Sequence, residues 1–269
     1  MILAALALGL LIGLALGALG GGGSILTVPA LVYLLGLSAQ EATTASLVIV
    51  GVTAAAASVS HARSHHTRWG AAGLLALVGV PASFLGTALN QTIDPNVLLL
   101  AFATLMLLAA VGMLARARAV ARGRTGSSAA TEQRAPAVAL GARARIGHAS
   151  RLAAAGLGIG FLTGFLGVGG GFVVVPVLVV LLRLPMPTAV GTSLLVISLN
   201  SAVALAARAG QGSFVWEVIA PFTVAAVAGS LAGKRMGDRV SPGTLTVFFA
   251  MLLVVVAMYV AIRASLALA

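Results

Sequence analysis

The chain has no cysteine, so it can form neither a disulfide framework nor a thiolate metal site. Charge is nearly as scarce. Only 8% of the 269 residues are Asp, Glu, Lys or Arg, and only 5 of those are acidic. A soluble domain carries about 25% charged residues. With 60% apolar residues there is too little polar surface to face water, and the chain belongs in a lipid bilayer. Alternation is missing too. A transmembrane strand needs about 10 residues of alternating character, whereas a helical span needs about 20 apolar ones in a row. The apolar runs here are continuous, which predicts an all-α membrane protein. The N-terminus has no basic n-region, and its apolar run continues to Leu37 without a clear cleavage site. It reads as mature structure rather than a signal peptide.

The charge that is present is local. The net charge is +11, and eight arginines stand between positions 116 and 151, from Arg116 to Arg151. Between membrane spans, such a run reads as a positive-inside signal on the cytoplasmic face of the inner membrane, not as a nucleic-acid arm. Its arginines also suit anionic lipid. The run, residues 116–150, is expected to be a flexible linker, because it is rich in Arg, Ala, Gly and Ser and holds no long apolar run.

Either side of it the sequence repeats itself. Gly17–Leu31 reads GALGGGGSILTVPAL and Gly164–Leu178 reads GFLGVGGGFVVVPVL. Pro29 and Pro176 stand 147 residues apart, and the same offset pairs Gly13 with Gly160, Ser46 with Ser193, Trp69 with Trp216 and Phe102 with Phe249 without a gap. The chain divides into repeat one, 1–115, and repeat two, 151–269. A duplicated membrane protein with a glycine break in each half is most simply a transporter.

Each repeat holds four apolar segments: Ile2–Leu37, Ala42–Ser60, Trp69–Leu89 and Val97–Ala115, then Leu152–Leu184, Ala189–Ala207, Trp216–Ala232 and Leu245–Ile262. Ser38-Ala-Gln-Glu41 has capping-box spacing, and Asp94-Pro95 and Ser241-Pro242 put a cap residue before a proline. The first segment of each repeat is too long for one span. Ile2–Leu19 alone would rise about 27 Å, and each whole segment approaches 50 Å against a core of about 30 Å. The glycines therefore mark a fold-back or a sharp break. If the segment crosses once, the halves are parallel; if it folds back, they are inverted. Folding back puts Arg183, Lys234, Arg235 and Arg239 on the side of the linker, so the positive-inside rule favours inverted repeats.

A helix that starts at such a break presents free N–H groups and about half a positive charge. That end holds an anion without a buried arginine. Half-helices beginning near Ser24 and Phe172 would converge at the midplane. The competing reading is close helix packing, since Gly13-x-x-x-Gly17 and Gly160-x-x-x-Gly164 are packing spacings. A P-loop is excluded because no lysine follows the glycines.

The pattern GxLGxGGGxxxVPxL, with Gly191-Thr192-Ser193 in the following segment, resembles the duplicated signature of the TauE/SafE sulfite-exporter family of membrane permeases. The resemblance implies a multi-span inner-membrane transporter for small sulfur-containing anions. Repeat one departs from it: Ser24 replaces the last glycine, and Thr44-Ala45-Ser46 replaces Gly-Thr-Ser.

The candidate substrate-binding residues are Gly20, Gly22, Gly23, Ser24, Gly167, Gly169, Gly170 and Gly171 at the breaks. Pro29 and Pro176 are the motif prolines. Thr44, Ser46, Thr192 and Ser193 are hydroxyls that could complete a shell, with interhelical hydrogen bonding as the alternative. Asn200 lies deep in an apolar run and needs a partner. His61, His65 and His66 lie in a basic stretch with no carboxylate or cysteine nearby, which reads as a solvated loop and not a metal site. Glu41 reads as a capping carboxylate and Glu217 as a membrane-edge residue beside Trp216. No catalytic residue and no cofactor are expected, because the apolar segments hold almost no ionisable group. The expected partners are a small anion and the bilayer; no coupling ion or oligomer follows from the residues. The function expected is an anion permease working by alternating access, with an anion channel or a membrane scaffold as rivals.

Overall fold

The computed structural model describes residues 2–63, 67–90, 93, 95–122, 142–166, 171–207 and 214–268. Among them there is no strand, and ten α-helices account for nearly all. Repeat one contains α1 (Ile2–Leu19), α2 (Gly22–Pro29), α3 (Ala39–Arg63), α4 (Trp69–Asn90) and α5 (Pro95–Ala121). Repeat two contains α6 (Ala142–Leu166), α7 (Gly171–Pro176), α8 (Met186–Ala207), α9 (Trp216–Gly237) and α10 (Pro242–Leu268). Seven of the described helices are long and apolar enough to cross a membrane. Large apolar side chains such as Leu77, Phe84, Leu108, Val224 and Phe248 are exposed on their outer faces. Lipid, not water, is the solvent for such a surface.

Local signals place the helix ends. Glu41 Oε2 accepts from Ser38 N at 3.0 Å and from Ser38 Oγ at 2.7 Å, which forms the capping box at the start of α3. Ser241 Oγ accepts from Thr244 N at 3.2 Å at the start of α10. Asp94 lies outside the described residues. Pro29 and Pro176 each end an α-helix, and a π-turn follows at Ala30–Leu34 and at Val177–Leu181. Proline lacks an N–H and crowds the carbonyl four residues back, so the ladder slips by one residue there. The two π-turns close alike: Leu37 N donates to Leu31 O at 3.1 Å, and Leu184 N donates to Leu178 O at 3.0 Å. Each chain then turns through a left-handed residue, Gly36 at φ +71° and Arg183 at φ +52°.

Boundaries differ from the expected ones where helices outrun the apolar pattern. The linker expected over 116–150 gives up its ends, since α5 continues to Ala121 and α6 begins at Ala142. Charged residues end a hydropathy segment, but Ala and Arg are strong helix formers and carry the helix outward. The half-helices expected from Ser24 and Phe172 begin at Gly22 and Gly171. His61, expected on a loop, lies in the last turn of α3 and is 4% exposed. His65 and His66 lie outside the described residues.

The long helices pair across the repeats. α1 packs on α9 and α6 on α4, while α3 packs on α8 and α5 on α10. Gly9, Gly13 and Gly17 meet Phe222, Ala226 and Ser230 in ascending order, so α1 and α9 run in the same direction. Gly156 and Gly160 meet Leu75 and Gly79. Each of these two pairs is the 147-residue image of one in the first set. At Gly13 and Gly160 the neighbouring backbone carbonyl occupies the space a Cβ would need, so these glycines are packing glycines.

The first segment of repeat one breaks and folds back. A Cβ on Gly23 would lie 2.6 Å from Ile12 O, although a continuous helix would separate those residues by about 16 Å. Thr27 then shares a hollow with Ile49 and Thr53 of α3. The chain thus reverses at Gly20 and again before α3, making a hairpin of α1 and α2.

Replacing Gly13 or Gly160 by leucine is expected to destabilise the protein by at least about 3 kcal/mol, since backbone rather than a flexible side chain must move. Gly73→Ala, where a Cβ meets nothing within 4 Å, is expected to be neutral or stabilising by up to about 1 kcal/mol. Thermal unfolding in detergent separates the two.

Candidate functional site

The reversal at the first break depends on Gly20, whose φ of +74° lies in the left-handed region that only glycine enters freely. Its N–H still donates to Leu16 O at 2.8 Å. The turn closes when Ser24 donates to Gly21 O, from Oγ at 2.6 Å and from N at 3.3 Å.

The tip of the first hairpin meets the start of α7. A Cβ on Gly171 would lie 2.5 Å from Ser24 Oγ. Ser24 and Gly171 are repeat-equivalent, so the two stretches touch at matching positions. Gly20 faces the other repeat as well: a Cβ there would lie 2.7 Å from Ser193 Oγ and 3.2 Å from Val190 Cα. Gly23 lies against α1, and Gly22 lies against α10, where its Cβ would be 3.2 Å from Phe249. Gly167, Gly169 and Gly170 lie outside the described residues. Pro29 and Pro176 sit one turn on, where α2 and α7 pass into their π-turns.

The hydroxyls expected at the site are buried, and most are engaged with backbone. Ser46 Oγ donates to Thr43 O at 2.9 Å and Ser193 Oγ to Val190 O at 2.8 Å, which are equivalent bonds in the two repeats. Thr192, fully buried, accepts from Arg68 N at 3.2 Å. Thr44 is 6% exposed. Two side chains differ. Thr53 Oγ1 and Asn200 Oδ1 are buried with no hydrogen-bond partner. They too stand 147 residues apart, on the paired helices α3 and α8. A buried polar atom without a partner costs about 1–3 kcal/mol, and this cost falls at equivalent positions of the two repeats. Thr53 carries no motif, and its place opposite Asn200 under the repeat offset is the one signal in the sequence.

A cavity of about 200 Å³ opens beside the first break, lined by Gly17, His61, Val190, Lys234, Asp238 and Leu245 among others. Val190, which lines the cavity, also flanks Gly20, so a single residue stands between the cavity and the break. His61 Nε2 lies 3.1 Å from Gly17 O; a carbonyl only accepts, so Nε2 carries the proton. Lys234 is 8% exposed. It escapes the hydropathy pattern because the apolar segment stops at Ala232 while α9 continues to Gly237. Glu41 is held by the α3 cap, and Glu217 is exposed in the first turn of α9. Among the described residues no group of three His, Cys, Asp or Glu is placed to hold a metal.

The profile of the family described as "Sulfite exporter TauE/SafE" matches residues 5–260. The chain belongs to the TauE/SafE family. It is 34% identical over 253 residues to a "Probable membrane transporter protein" of Xylella fastidiosa, covering 93% of this chain and 91% of that protein. A counterpart in a second strain of that species is 33% identical over the same length. "Probable membrane transporter protein YunE" of Bacillus subtilis is 25% identical over 245 residues, 87% of this chain and 86% of its own length. No solved structure matches. This TauE/SafE protein is therefore a multi-pass membrane transporter and not an enzyme.

Thr53→Val keeps the shape and removes the orphaned hydroxyl. It is expected to raise stability by about 1 kcal/mol and to lower flux, measured by thermal unfolding and by uptake into proteoliposomes.

Proposed function

We propose that this protein carries a small oxyanion, of the sulfur-containing class that includes sulfite and organosulfonates, by alternating access between two inverted halves. The observation that carries the reading is the contact of Ser24 with Gly171. That contact puts the starts of α2 and of the helical stretch from Gly171 at one place, with electropositive ends toward it. Glycine at both tips lets backbone N–H groups approach a guest closely. Such a site replaces the water shell of an anion without a full counter-charge buried in lipid.

The directions of the helices support inversion. If the second break folds back like the first, each repeat contains five alternating elements, so the second enters from the opposite side. α1, α3 and α9 then end, and α8 and α10 begin, around the same cavity, as its lining residues do. Arg63, Arg68, Lys234, Arg235 and Arg239 gather on that side with the linker, which the positive-inside rule assigns to the cytoplasm. The cavity volume admits an anion of a few heavy atoms and falls short of the roughly 300–1,000 Å³ of a site for larger organic ligands. The family's description as sulfite exporters supplies the sulfur-containing class.

Uptake of radiolabelled sulfite by proteoliposomes tests the reading. Gly20→Val and Gly171→Val, each placing a side chain where the tips meet, are expected to lower uptake at least about tenfold, equivalent to about 1.4 kcal/mol. Gly73→Ala serves as the matched control. Wild-type flux in both tip variants, in protein that inserts and unfolds normally, would overturn it.

A further inference from the structure

Lys234 and Asp238 form the ion pair in the cavity beside the first break, with Nζ 2.7 Å from Oδ2. The partners are unequal. The lysine side chain is 10% exposed and the aspartate side chain is 42% exposed. An ammonium inside a membrane helix bundle needs a negative partner at hand. The carboxylate is half in water and can leave at little cost in solvation. The lysine starts from a fixed backbone: it follows Gly233, which is packed against the backbone of Leu14, and it lines the cavity together with Gly17 and Val190.

We propose that Lys234 is an anion-binding residue and that Asp238 is its exchangeable counter-ion. In the empty protein Asp238 neutralises the lysine. An oxyanion entering from the linker side displaces the carboxylate into water, pairs with Nζ, and waits one step from Gly20. Charge in the cavity stays balanced throughout, so a hydrated oxyanion reaches the break without a net charge being left in low dielectric. His61 lines the same cavity, its ring anchored to the end of α1 through Gly17 O. The inference rests on the anion-carrier reading above and adds to it the residue that captures the anion.

The exchange has a signature that a structural salt bridge lacks. If the pair only fastened the last turn of α9, removing either partner would act in the same direction. Under exchange the two act oppositely, because Asp238 competes with the substrate and Lys234 binds it. Full-length protein in proteoliposomes is assayed for the half-saturating concentration of sulfite. Lys234→Gln is expected to raise it about tenfold or more, and Asp238→Asn to lower it about threefold or more, corresponding to about 1.4 and 0.7 kcal/mol. The absence of cysteine permits a rescue. Lys234→Cys should match Lys234→Gln until alkylation with 2-bromoethylamine restores an ammonium at lysine length, after which wild-type affinity returns; that return also shows that the variant is folded.

Shifts in the same direction, or none in either variant, would overturn the exchange while leaving the hairpin-tip site standing. Failure of the wild-type protein to take up either sulfite or methanesulfonate would overturn the carrier reading for this anion class, and this inference with it.

Discussion

The first hairpin is held by the other half of the molecule. The first helix of repeat one lies along the third long helix of repeat two, and the reverse pair is its image, with backbones in contact through glycine. Lipid offers no hydrophobic force to bring helices together, so small residues and close backbones must do so. Gly13 against Ala226 and Gly160 against Gly79 meet that need at the same register. This cross-bracing fixes where the first hairpin's tip stops. It stops against Gly171 of the other repeat, and a half built alone would have nothing to set the position of its own break.

The glycines have two jobs, separated along the same motif. Those before the break, Gly9, Gly13 and Gly17, bring α1 against α9. Gly20 reverses the chain, and Gly171 leaves room for Ser24. A single glycine-rich stretch therefore both positions the hairpin and forms its tip, and the packing reading and the site reading of the sequence each apply to different residues of it.

Much of this was legible in the residues. The constant offset of 147 and the excessive length of the first segments pointed to paired breaks, and Ser38–Glu41 and Ser241 marked helix starts through ordinary side-chain hydrogen bonding. Other features left no local trace. The spacing of Gly9, Gly13 and Gly17 announces a close neighbour without saying which helix it is. No residue rule distinguishes a π-turn from an α-turn after Pro29 or Pro176. Lys234 was hidden because hydropathy ended the segment two residues early, although the helix runs on; the basic stretch at His61 looked solvated although α3 carries that ring inward. Thr53 sits in an alanine-rich run and becomes visible only when laid over Asn200.

The meeting of the tips can be tested directly, because the chain contains no cysteine to interfere. Ser24→Cys combined with Gly171→Cys places two thiols within bonding reach, as judged from the 2.5 Å between Ser24 Oγ and a Cβ built on Gly171. Mild oxidation in membranes is predicted to join residues 24 and 171 and to stop transport, with reduction restoring it. Two thiols that stay free under oxidation, in protein that still transports, would contradict the account.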